Sequence, residues 1–199
     1  MRTSSFERPG RRLAAAAGAL VLALVGLWPG SAFSEDEYHV GPVSVSLAGR
    51  QLGVVTSLRP GLAPEVVQRL SSGLPTTTSW EIRLYVDRGP LWPDGFKDGR
   101  RYDVTATYRP LTSDYSVERR LDGKLLEARA VPGRAAAEEA LEAVRGLASF
   151  LMGPHLLDKT LYVKVRCTYG TGVALGVVPT RSATGWTRSE AFTWTGEKD

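Results

Sequence analysis

Enzyme chemistry needs groups with movable protons or metal-binding lone pairs that converge in one cleft. This chain of 199 residues has two histidines, His39 and His155, and one cysteine, Cys167. None stands at metal-ligand spacing from another, so there is no zinc signature. The sequence has no G-x-S-x-G elbow and no glycine-rich loop ending in Lys-Ser/Thr, the usual marks of hydrolases and nucleotide binders. Cys167 shares strand parity with Leu161, Val163, Val165 and Tyr169, which predicts a small apolar core residue rather than a reactive thiol. Asp87, Asp94, Asp98 and Asp103 cluster along one segment, where acids ordinarily shape turns. A carboxylate pair drawn from distant strands leaves a hydrolase as the distant alternative. The expectation is a non-enzymatic protein with no cofactor and no metal.

The residues better suited to action are recognition residues. Leu91, Trp92 and Phe96 stand among glycine and proline breakers between Arg88 and Gly99. Large apolar groups in a turn-rich segment either fold back on the sheet or meet a partner. Arg83 and Tyr85 fall on the outward side of the preceding strand. Arg83, Tyr85, Leu91, Trp92 and Phe96 are therefore the candidate partner-binding residues.

The elements that must position them are legible from period. From Ser79 to Asp87 the chain alternates, with Trp80, Ile82, Leu84 and Val86 on one side and Glu81, Arg83 and Tyr85 on the other. That is the signature of a half-buried strand. Tyr102, Val104, Ala106 and Tyr108 repeat it, and a turn through Pro110–Asp114 leads to Tyr115 and Val117, completing an antiparallel meander. Val43–Leu58 reads as a hairpin around Gly49-Arg50, and Asp122-Gly123 marks another. Leu161–Tyr169 is a further strand, and Trp186–Trp194 reads as an edge strand with Trp186, Phe192 and Trp194 on one side. Two helices are expected. One spans about 62–72, with Pro64 at its start and Gly73 past its end. The other spans 134–151, where Ala137, Leu141, Val144, Ala148 and Leu151 keep a 3/4 spacing.

Charge excludes one class of partner. The formal net charge is +4, but Arg2, Arg8, Arg11 and Arg12 all precede Leu13, and the remainder is nearly neutral. A nucleic-acid binder carries its basic excess on the folded domain. Here the basic run precedes an uncharged stretch from Leu13 to Leu27 and small residues at Ser31, Ala32 and Ser34. That order describes a secretory signal peptide over residues 1–34, cleaved after Ala32 or Ser34, with an uncleaved N-terminal anchor as the alternative. Membrane association would follow only from an uncleaved leader. Residues 35–199 then form a single domain in an exported setting, periplasmic or otherwise extracytoplasmic.

One arrangement is specific enough to compare with known families. Gly73-Leu74-Pro75 enters the alternating strand, Leu91-Trp92 follows it, and Tyr108–Val117 carries a Pro-Leu-Thr turn closing on Tyr115. With the 134–151 segment and a Trp-bearing tail, this resembles the bacterial "domain of unknown function 4390" family across nearly all of the mature chain. The resemblance implies an exported protein without catalytic motifs to carry over, and it points to a membrane sensor kinase as partner.

These readings predict an α+β fold, mostly antiparallel β, sandwich-like or an open barrel, with one long and one short covering helix. The expected function is a protein-binding module of the cell envelope. The alternative is a carrier for a small amphiphile in an apolar pocket enclosed by the sheet.

Overall fold

The computed structural model describes residues 38–174 and 178–196, all within the unit formed by residues 35–199. The leader read over residues 1–34 lies outside the described residues. The chain opens with β1 (His39–Val40), β2 (Ser44–Ala48) and β3 (Gln51–Arg59), in which β1 and β2 both run antiparallel to β3. Helix α1 (Pro64–Ser71) has Pro64 in its first turn, where a missing N–H costs nothing. Gly73, at φ +80°, lies just past its end and donates its N–H to the Leu70 carbonyl at 3.1 Å.

Strand β4 (Thr76–Val86) is the centre of the larger sheet. Trp80, Ile82 and Leu84 are at most 1% exposed, while Ser79, Glu81, Arg83 and Tyr85 alternate with them on the outer side. It is followed by β5 (Gly95–Arg109), β6 (Asp114–Leu121) and β7 (Lys124–Val131), each antiparallel to the one before. Asp122 and Gly123, at φ +49° and +80°, make the two-residue β6–β7 turn, as a type I′ hairpin requires.

Phe96 is not a loop residue: β5 begins at Gly95, so Phe96 pairs across from Tyr85 and only the span between Val86 and Gly95 remains a loop. The glycines and prolines hid the strand, while a register shift between Leu84 and Tyr85 absorbs the extra residue Lys97. The long helix over 134–151 is also wrong in its second half. Helix α2 (Gly133–Glu142) stops where Ala143 turns extended, and β8 (Ala143–Leu151) then pairs with the second edge of β3. Gly146 stands at φ +58°, outside the helical region, and Val144 and Phe150 bury their side chains in the core from the strand. Ladder bonds offered by β3 outweigh the helical preference of the alanine-rich sequence, a tertiary override of local propensity.

After a short 3₁₀ turn at Pro154–Leu156 come β9 (Thr160–Ala174), β10 (Val178–Ala183), β11 (Thr187–Arg188) and β12 (Phe192–Thr193). β9 lies between β4 and the three last strands, which pair in turn with its other edge. The tail is thus two short strands rather than one. Ser189 interrupts it, donating its N–H to the Val163 carbonyl (2.8 Å) and accepting the Val163 N–H on its hydroxyl (2.9 Å). The interruption breaks the parity, so Trp194 is buried while Trp186 lies on the outer face.

The larger sheet has the order β10-β9-β4-β5-β6-β7, and the smaller is β1-β3-β2 with β8 on β3. Inward residues of both sheets share one hydrophobic cluster with Val66 and Leu70 of α1 and Leu141 of α2. The buried Thr78 hydroxyl donates to the Leu141 carbonyl at 2.8 Å, tying α2 to β4. The fold is α+β, mostly antiparallel β in two sheets, and it is not a closed barrel.

Candidate functional site

Antiparallel register sets the outer face. Across β4 and β9 the outward pairs are Glu81 with Arg166, Arg83 with Lys164, and Tyr85 with Tyr162. Arg166 donates to Glu81 Oε1 at 2.8 Å and Arg83 donates to Oε2 at 3.2 Å. The Trp186 ring has the Arg83 guanidinium 4.5 Å and the Arg166 guanidinium 4.8 Å from its centroid, both in cation–π range. Toward the tip, Tyr85 and Tyr162 stack at 5.3 Å with planes 5° apart, and Phe96 meets Tyr85 edge-on at 5.7 Å. Arg188 covers the Tyr162 ring at 3.7 Å and donates to Asp87 Oδ2 at 2.6 Å. The Tyr162 hydroxyl donates to Asp94 of the loop.

Ionisation follows from these contacts. The Arg166 hydrogen bond, helped by the nearby guanidinium charges, holds the Glu81 carboxyl below its ordinary value. Asp87 is lowered first by the Gly89 N–H and then by Arg188. Burial, reinforced by Asp94, pushes the Tyr162 phenol up, so it stays a protonated donor at neutral pH. Cys167 is buried and its thiol is pushed up by desolvation. His39 and His155 are exposed. Among the described residues no group of three metal-ligating side chains is placed to hold an ion.

Exposure changes sharply along this face. Tyr162 is fully covered, yet Leu91 is 88% exposed, Trp92 70% and Phe96 57%. Asp87, Gly89, Pro90, Trp92, Pro93, Asp94 and Arg188 frame a shallow depression of about 480 Å³. The arrangement supplies an apolar surface standing on a base fixed by ion pairs and ring contacts.

The structure gathers Tyr85, Leu91, Trp92 and Phe96 at the end of the β4–β5 hairpin. Arg83 lies further along, engaged by Glu81 and Trp186. Sequence reasoning missed Tyr162, Arg166, Arg188, Asp94 and Trp186 as members of this face. The outward parity of Tyr162 and Arg166 was the available signal, but the register that sets them beside Tyr85 and Glu81 was not in the sequence.

Residues 35–171 match the family model described as Domain of unknown function (DUF4390). The chain belongs to that family. No curated protein and no solved structure matches it. The DUF4390 match covers β4, β5 and most of β9, so the stacked tyrosines and the exposed tip fall inside it, while Trp186 and Arg188 lie beyond its last residue.

Proposed function

We propose that this DUF4390 protein is an exported, non-enzymatic envelope protein that docks another protein through the tip of its β4–β5 hairpin. The partner is the extracytoplasmic domain of a membrane sensor kinase. The observation that carries the reading is the exposure of Leu91 and Trp92 on a loop tied down by the Tyr162–Asp94 hydrogen bond. A loop already held loses little backbone entropy on binding, and tryptophan is enriched among residues that dominate interface energies. The carrier alternative needs an enclosed apolar cavity, and what argues against it is that Trp80, Ile82 and Leu84 fill the space beneath β4.

The test is a titration of the purified sensor domain against the full chain and its Trp92→Ala variant. Saturable binding that weakens about 30-fold in the variant supports the proposal, that factor being a loss of about 2 kcal/mol. Equal binding by both proteins, or none by either, overturns it.

A further inference from the structure

The outer face carries a second feature near the start of β4. There α1, β4, β5, β6 and β9 surround a hollow of about 310 Å³ that opens to solvent. Ser79, which lines it, is six residues from Tyr85, roughly 20 Å along the strand, so the hollow is separate from the hairpin tip.

Three guanidinium groups from three elements line this hollow: Arg69 of α1, Arg101 of β5 and Arg120 of β6. One is fixed by a closed set of bonds. Arg101 Nε lies 3.0 and 3.2 Å from the two Asp103 oxygens, Arg101 Nη2 donates to the Ser79 hydroxyl at 3.1 Å, and that hydroxyl donates to Asp103 at 2.6 Å. Arg69 Nε donates to the Pro75 carbonyl at 3.1 Å, holding its fork beside the start of β4. Arg120 Nη2 reaches Glu118 at 3.1 Å. Between them the hydroxyls of Thr77 and Thr105 share one hydrogen bond of 2.8 Å, which leaves one of their two protons for an outside acceptor.

Among the described residues Asp103 is the one carboxylate lining the hollow, and it is already engaged by Arg101 and Ser79. Donors that approach from several elements suit an acceptor with oxygens in several directions. Guanidinium forks pair in bidentate fashion with phosphoryl oxygens, and hydroxyl donors add to them. The volume stands at the small end of ligand sites, roughly 300–1,000 Å³, and among the described residues no aromatic side chain lines it. We infer that this hollow binds a phosphate monoester, held by Arg69, Arg101 and Arg120 with the threonine hydroxyls beneath. The inference stands independently of the proposed docking at the hairpin tip.

It is tested by following backbone amide shifts of the full chain during titration with inorganic phosphate. Glycerol 3-phosphate and phosphatidate-containing vesicles are then compared, to distinguish a soluble ester from a lipid headgroup. The expected result is saturable shifts at Thr77, Ser79 and Thr105 with residues 91–96 unmoved. Arg69→Gln and Arg120→Gln should each weaken binding about tenfold, the usual scale for losing a charged hydrogen-bond partner. Arg129→Gln, on β7 outside the hollow, should leave it unchanged. Shifts that never saturate, or equal weakening by Arg129→Gln, would mean general charge attraction and overturn the inference.

Discussion

Replacing Trp92 by alanine separates a docking residue from a core residue, because the two roles predict opposite ratios of stability loss to binding loss. Trp92 is 70% exposed, so under a third of its surface is covered. An aromatic side chain buries up to about 250 Å² when fully enclosed, so roughly 75 Å² is at stake here. At about 25 cal/mol per Å² that is at most about 2 kcal/mol. Extended-chain references overstate burial by roughly 10–40%, and alanine keeps the Cβ, so the expected loss is about 1 kcal/mol. For a domain of this size that corresponds to a fall in melting temperature of about 2–4 °C. Thermal unfolding followed by circular dichroism reads it directly, beside the affinity for the sensor domain. A fall of more than about 10 °C would show that Trp92 packs in the core and would refute the reasoning from exposure.

Other perturbations probe the framework beneath the tip. Trp80→Ala empties a fully buried site on β4 and should cost about 3–5 kcal/mol in denaturant unfolding; a cost near 1 kcal/mol would mean the inner face is not the core. Tyr162→Phe removes the donor to Asp94, and the amides of residues 91–96 should exchange faster at a global cost of about 1 kcal/mol; unchanged exchange would show that this bond does not hold the loop. Glu81 has its folded pKa lowered below the ordinary 4.5, so its contribution to stability is complete above that value and is lost as pH falls through the folded value. Glu81→Gln should therefore flatten the dependence of unfolding free energy on pH below about 4.5, and an unaltered acid limb would contradict the assigned Arg166 pairing.

Legibility of the fold followed the range of the interactions that decide it. The inward set Trp80, Ile82, Leu84 and Val86 could be read directly, because strand period is a local property and one face is buried. Gly73 past α1 and Asp122-Gly123 between β6 and β7 were legible for the same reason: each needs a positive φ that few residues tolerate. The end of α2 was not. Leu141 and Val144 both bury their side chains, and their spacing fits a helical stripe as well as a helix followed by a strand. Only the waiting edge of β3 decides between them. Within the candidate site, the outward positions of Arg83 and Tyr85 were readable, whereas the contacts of Trp186 with Arg83 and Arg166, and Arg188 over Tyr162, depend on the pairing of β11 with β9.

The most direct measurement of the central claim places a photo-crosslinking amino acid at position 92 of the full chain in living cells, with position 111 as the control. Leu111 is fully exposed but lies in the β5–β6 turn, away from the hairpin tip. Docking through the β4–β5 hairpin predicts a discrete adduct with the membrane sensor from position 92 and none from position 111. Adducts of equal yield from both positions, or none from position 92 while the protein is folded and exported, would contradict it.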